Sequence, residues 1–372
     1  MISVVDRKRN FVAKAVLSGA AFVVILSGCV TDPAPHEFQH WGETQGTTYS
    51  IKYWGGDSVP QAAFDSILHE VDLAANLWMP ESVISSINAW RRTDTVFTFV
   101  DRAQVFSVLW SWSEELHQAS GGAFDPTVAP LMELWGFGLS KRSKVSAEAV
   151  DSCVAHVGWG FSRLDLNEVE EGRHYVASEI LKRDSLAGLD FNSIAQGLTV
   201  DLLADKIQAL NVPHFMVEVG GEVRAQGTNP RGIPWRIAID KPQDNWEEGR
   251  PLEAIVELKN AALCTSGNYR KFYFEDGVRR SHTLDPRTGY PVEHGLLSAT
   301  IKASTAVLAD GLSTSCMVLG PEAGRAFIST YRLDHPEEAI EAMFILDDAG
   351  TARHWLTPGW EGTLEFVEGQ EP

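Results

Sequence analysis

The sequence predicts an α+β protein in which mixed and antiparallel sheets carry packed helices; its length allows two domains of ordinary size or one large domain with two lobes. Three observations lead there. Short alternating segments come in runs joined by tight turns, as hairpins do and crossover units do not. Longer segments with apolar residues three and four apart fall in groups among those runs. Of the 372 residues, 44% are hydrophobic and 22% charged, which supplies a sizeable core and argues against disorder. There is no internal repeat or low-complexity block.

Residues 1–28 stand apart from the fold. Arg7, Lys8, Arg9 and Lys14 precede an almost wholly apolar run from Ala15 to Leu26. That run is too short for a comfortable membrane span of roughly 20 residues and has the flanks of a secretory signal. It ends in Leu26-Ser27-Gly28-Cys29, which resembles the bacterial lipobox. The resemblance implies that Cys29 is acylated, becomes the first mature residue and anchors the chain to the periplasmic side of a bacterial membrane. The alternative is an ordinary signal with a chance cysteine. Residues 29–40, around Thr31 to Pro35, then read as a tether, and 41–372 as the folded domain.

Within that domain Thr47 to Trp54 alternates as a half-buried strand does, and Pro60 to Trp78 has helical spacing through Phe64, Ile67, Leu68, Val71 and Leu77. Val96 to Val100 is a strand. Asp101 caps a helix reaching Ala119, which Gly121-Gly122 ends. A helix near Ala147 to Val157 precedes short strands at Arg163 to Leu166 and His174 to Ser178, and a helix runs from about Ser193 to Leu210. Phe215 to Val219, Glu222 to Gln226 and Trp235 to Asp240 read as a three-stranded meander turning at Gly220-Gly221. Further strands are expected at Leu252 to Leu258, Phe272 to Glu275, Ser298 to Lys302 and Ala342 to Leu346, with helices at Thr305 to Leu319 and Pro321 to Tyr331. Asp240 to Arg250, rich in Pro, Asp, Glu and Gly, is either a linker or a surface loop.

Acidic side chains outnumber basic ones by 50 to 31, a net charge of −19, and loss of residues 1–28 would remove four basic residues and only one acid. A surface that negative repels polyphosphate backbones, so no nucleic-acid partner is expected. The mature chain keeps Cys153, Cys264 and Cys316, an odd number without zinc-type or Cys-x-x-Cys spacing. At least one thiol is therefore unpaired, and buried structural thiols are expected.

The segment Asp310-Gly311-Leu312-Ser313-Thr314 places a carboxylate and a hydroxyl four residues apart, on one face of a helix. Such hard oxygens suit Mg2+. Taken alone the spacing more often marks a solvated helix face, and it gains meaning from its company. Gly122-Ala123-Phe124-Asp125-Pro126-Thr127-Val128, Leu134-Trp135-Gly136-Phe137-Gly138 and Asp190-Phe191-Asn192-Ser193-Ile194-Ala195-Gln196-Gly197 come first. Gly220-Gly221-Glu222-Val223, Ser266-Gly267-Asn268-Tyr269-Arg270 and Ser281-His282-Thr283-Leu284-Asp285-Pro286-Arg287-Thr288-Gly289-Tyr290-Pro291 follow, before Ala309-Asp310 with Thr314. Together, and in this order, these blocks resemble the FAD:protein FMN transferase family, the ApbE-like family, from roughly Gly46 to Gly320.

The resemblance implies a cleft for a flavin nucleotide between the lobes, with FAD as substrate. FAD would be split at its pyrophosphate, its FMN half joined to a threonine hydroxyl of an acceptor redox protein, such as a respiratory-complex subunit, and AMP released. By matching position, Ser193, Asp310 and Thr314 would hold Mg2+. Trp78, Ala123, Phe124, Asp125, Asp190, Gln196, Ser266, Gly267, Tyr269 and His282 would meet the nucleotide, with Asp310 and His282 catalytic. His282 would be either a general base toward the acceptor hydroxyl or a group that orients a phosphate. Trp78 either stacks on the isoalloxazine or is a core or rim aromatic, and Arg287 braces its loop. Gln45-Gly46-Thr47 stands where relatives commonly have Met-Gly-Thr, and Gln196 where they commonly have Lys or Glu. FAD pyrophosphate hydrolysis and simple FAD carriage are the alternative activities.

Overall fold

The computed structural model describes residues 36–166, 175–243, 251–269, 272–275, 277–348 and 351–367. The signal, Cys29, Arg270 and most of the 240–250 segment lie outside them.

The chain begins with the hairpin β1 (Glu37–Thr44) and β2 (Thr47–Trp54), then α1 (Gln61–Ala75), α2 (Val83–Ala89), β3 (Phe97–Arg102), α3 (Val105–Ala119), α4 (Ala129–Leu134) and α5 (Ala147–Val154). Next come β4 (Ser162–Leu166), β5 (Tyr175–Lys182), α6 (Ala195–Ala209), β6 (His214–Val219), β7 (Glu222–Gln226), β8 (Trp235–Asp240), β9 (Leu252–Leu258) and β10 (Ala261–Gly267). The last elements are β11 (Phe272–Glu275), β12 (Val278–Ser281), β13 (Leu296–Ala303), α7 (Ala306–Asp334), β14 (Glu341–Asp348), β15 (Thr351–Leu356) and β16 (Leu364–Phe366).

Alternation along the strands decides the architecture. The main sheet has eight strands in the order β1-β2-β6-β7-β10-β13-β14-β15, antiparallel throughout. In β10, Ala262 and Cys264 join the large apolar core under α6 and α7, whereas Leu263 joins a second core with Trp235, Ile239, Val256 and Trp360. Ala342 and Phe344 against Met343 and Ile345 repeat the division in β14. Period-two alternation with both sets apolar gives a sheet covered on both faces, by helices on one and by the three-stranded sheet β16-β9-β8 on the other. A third sheet, β3-β5-β4, and the β11–β12 hairpin complete the strands described. A third apolar cluster joins Leu131 and Trp135 of the α4 region, Val150 of α5 and Leu284.

The α+β class and the antiparallel pairing are as the sequence predicts, and three details differ. Glu37 to His40 already belong to β1, so the folded part starts before residue 41. β8 does not continue the β6–β7 hairpin as a meander. It pairs with β9 in the smaller sheet, because the long loop after Gln226 releases it from the turn geometry that would fix its neighbour. The helix at 147 ends at Val154. Asp101 does cap α3, but from outside the helix: its carboxylate accepts the Phe106 and Ser107 N–H groups at 3.0 and 2.8 Å and the Ser107 hydroxyl. The two expected C-terminal helices are two arms of α7, broken at Gly320 (φ 78°) directly before Pro321. Cys153, Cys264 and Cys316 are free thiols, the last two buried.

Candidate active site

The site is built on the seam between α6 and α7. Before α6 the chain turns through Asp190, whose Oδ1 accepts the Asn192 N–H at 2.8 Å, a local bond that leaves the Ser193 carbonyl outside the helix. At Gly197 in the first turn, a Cβ would lie 2.6 Å from the Ala306 carbonyl oxygen and 2.8 Å from the Asp310 Cβ. Only glycine lets the two helices approach this closely. The Gly197 N–H then donates to Asp310 Oδ2 at 3.0 Å. Asp201, one turn along α6, accepts the Ala306 and Val307 N–H groups at 3.0 and 2.8 Å, so α7 receives its N-terminal cap from a neighbouring helix. Arg224 on β7 donates to Asp201 at 2.9 Å.

Five oxygen-bearing residues from three separate stretches converge at this seam. Thr314 Oγ1 lies 3.5 Å from the Ser193 carbonyl and 3.2 Å from Ser266 Oγ, which is 2.7 Å from Ser313 Oγ. The Ser313 hydroxyl donates to the Asp310 carbonyl at 2.9 Å. Ser266 stands near the end of β10, and Gly267 follows it because the Tyr269 ring occupies the space a Cβ would need, 2.4 Å away. Asp310 is 5% exposed. Burial, and then the nearby Glu222 carboxylate, push its pKa well above the usual carboxylate range; the Gly197 N–H opposes this, and Asp201 adds to it. A buried anion without a cation among its described partners, next to a hydroxyl and a backbone carbonyl, is suited to a hard divalent ion. Among the described residues there is no cluster of three or more His, Cys, Asp or Glu that could hold a metal. One carboxylate with neutral oxygens leaves positions for phosphate and water, as Mg2+ prefers.

Of the remaining residues expected at the site, Ala123, Phe124, Asp125 and Asp190 form a second group. Ala123 and Phe124 are buried, and Asp125 Oδ1 accepts the Thr127 N–H and hydroxyl at 2.8 and 2.6 Å. Burial pushes the Asp125 carboxyl up, opposed by those bonds and by His117. The Asp190 N–H donates to the Pro126 carbonyl at 2.7 Å, tying this group to the turn that carries Ser193. His282 follows β12, its ring 6.4 Å from Phe137 and edge-on. The 284–291 loop is locked by Trp135 Nε1 donating to the Gly289 carbonyl at 2.8 Å, and Arg287 braces it by its hydrogen bonds to Asp285. Gln196 lies against the Gly220 turn, and Gln45 donates to Thr199 Oγ1 at 2.6 Å, which sets both departing residues beside the first turns of α6. Trp78 is 61% exposed, which excludes a core role for it.

The structure therefore brings Ser193, Asp310, Thr314 and Ser266 together and places Gln196 and Gly267 next to them. It links Ala123, Phe124, Asp125 and Asp190 into the adjoining group. Sequence reasoning assigned no role to Ser313, Glu222 or the Asp201–Arg224 pair. Alternation in β7 was the available signal, since Glu222 and Arg224 share the face turned toward α6 and α7.

The sequence matches the ApbE family over residues 45–341. An FAD:protein FMN transferase of Haemophilus influenzae is 36% identical over 76% of this chain and 80% of that protein, and one of Vibrio cholerae is 34% identical over 83% and 89%. The fold is similar to the flavin transferase ApbE from Vibrio cholerae, with a TM-score of 0.72 at 29% identity over 88% of this chain and 99% of that one. It is equally similar to the apo flavinyl transferase ApbE of Pseudomonas stutzeri, with a TM-score of 0.71 at 33% identity over 87% and 95%. With residues 45–341 matched, this chain belongs to the ApbE family.

Proposed function

We propose that the chain is an exported FAD:protein FMN transferase that joins the FMN half of FAD to a threonine hydroxyl of an acceptor redox protein and releases AMP. The observation that carries this reading is the convergence of the Ser193 carbonyl, Ser266, Asp310 and Thr314 from three distant stretches at the α6–α7 seam. When bound there by Ser193, Asp310 and Thr314, Mg2+ would neutralise charge on the pyrophosphate oxygens. The acceptor oxygen forms its bond to the FMN-side phosphorus as the bond from that phosphorus to the bridging oxygen breaks. AMP leaves with the bridging oxygen. His282, held against Phe137, takes the proton of the acceptor hydroxyl. Ala123 to Asp125, Asp190, Gln196, Ser266 to Tyr269 and Trp78 form the walls for the nucleotide.

The chain lacking residues 1–28 and carrying Cys29→Ser, incubated with FAD, Mg2+ and an exported flavoprotein as acceptor, tests the reading. A covalent fluorescent acceptor band is expected. FMN and AMP released without a band would make the enzyme a pyrophosphatase, and unchanged FAD would make it a carrier. We further propose that Cys29 carries a diacylglycerol thioether and holds the domain on the periplasmic side of the membrane. Full-length protein should then sediment with membranes, and Cys29→Ser should release it.

A further inference from the structure

His117 sits in the last turn of α3, and its surroundings define what it does. The helix ends at Ser120, and Gly121 and Gly122 turn the chain back with positive φ, the Gly122 N–H reaching the His117 carbonyl at 2.9 Å. Ser120 Oγ then accepts the Phe124 N–H at 2.9 Å. This folded end returns the Ala123-Phe124-Asp125 segment to the His117 ring. His117 Nδ1 lies 3.1 Å from the Phe124 carbonyl and 3.4 Å from Asp125 Oδ2. Both neighbours are acceptors, so Nδ1 carries a proton whichever charge state the ring adopts. The other Asp125 oxygen is already taken by Thr127. Trp159 stacks on the imidazole at 5.8 Å and fixes its plane.

The same turn reaches the metal-bearing helix. Leu116, the preceding residue, packs where Gly311 lacks a side chain, its Cδ1 2.2 Å from the position a Cβ would take. One turn of α3 therefore touches α7 beside Asp310 through Leu116 and holds the 123–125 segment through His117. It spaces the two halves of the site.

We infer that His117 is a positioning residue of the nucleotide site: its Nδ1–H fixes the Phe124 carbonyl and the Asp125 carboxylate, and so sets affinity for FAD without taking part in the transfer. This rests on the proposed flavin-transferase reading. The test compares His117→Ala and His117→Asn in the mature chain by FAD fluorescence titration, steady-state transfer and thermal unfolding. Loss of the hydrogen bond to the Phe124 carbonyl, together with the contact to the Asp125 carboxylate, should raise the dissociation constant and KM for FAD about tenfold in His117→Ala, with kcat within about twofold of the parent. Asn presents an amide N–H where Nδ1–H stood and should restore both constants, with the two variants equally stable. An unchanged KM in His117→Ala, or an Asn variant as impaired as Ala, overturns the inference while leaving the flavin-transferase reading intact. A parent chain that neither binds FAD nor transfers flavin removes both.

Discussion

Two buried aspartates face each other across the α6–α7 seam, and the seam treats them differently. Asp201 accepts two backbone N–H groups of α7 and forms an ion pair with Arg224, and although burial pushes its pKa up, those partners oppose the rise. Asp310 has one backbone N–H from Gly197 and lies near Glu222 and Asp201, which oppose its ionisation. The first carboxylate is neutralised by the protein itself and holds α7 in place. The second retains a charge requirement that the described residues do not meet. A buried carboxylate becomes a cation site less through its own burial than through what its neighbours withhold.

The strongest test of this contrast is the stability of the two substitutions. Asp201→Ala should cost about 3 kcal/mol, because the first turn of α7 loses its cap and Arg224 keeps only the exposed Asp205 as a partner. Urea denaturation measures it, and a variant as stable as the parent would end the comparison. Asp310→Asn should do the reverse. Flavin transfer should fall about 10²–10³-fold, the scale of losing one preorganised charge-stabilising group, while stability without divalent cation holds or rises. Full activity in that variant would remove Asp310 from the metal site.

Lys182 offers the same contrast with the sign reversed. It is 1% exposed, and its Nζ donates to the Ile87 and Trp90 carbonyls at 3.3 and 3.0 Å. Burial, aided by Arg91, lowers it to about 8. Its native value is thus below that of the unfolded chain, which keeps the proton between pH 8 and the free-lysine range near ~10.4. Its contribution to stability should rise by about 3 kcal/mol across that window and stay at its minimum below it. The difference between parent and Lys182→Met unfolding free energies, measured from pH 7 to 10.5, should carry that slope; a flat difference would show that the lysine is not held desolvated. The smallest effect belongs to Ser266→Ala, which removes the hydroxyl between Ser313 and Thr314 and should weaken apparent Mg2+ affinity by about 1 kcal/mol. Titration of transfer against Mg2+ reads it, and an unchanged half-saturation would place Ser266 outside the ligand network.

Residues close in sequence carried most of what could be read. The spacing of Phe64, Leu68 and Val71 marks α1, the pair Gly121-Gly122 marks the end of α3, and Gly320-Pro321 marks the break in α7. Short or marginal elements were harder: α2 and α4 have two turns or fewer, and β15 and β16 lie at sheet edges where alternation is weak. In the site, motif spacing placed Asp310 and Thr314 on one helix face, but nothing near residue 310 shows that Gly197 would donate to its carboxylate or that Glu222 lies near it.

What the chain determined by itself is local: its helix and strand periods, its turns, and the ordered blocks that identify the family. What only tertiary structure decided is which faces meet. β8 left its apparent meander for a second sheet, and Asp201 capped a helix more than a hundred residues away. The reason is range. A propensity or a cap acts over one turn of chain, whereas the electrostatic state of a buried carboxylate depends on every group that packing brings around it, and those groups come from α6, β7 and α7 at once.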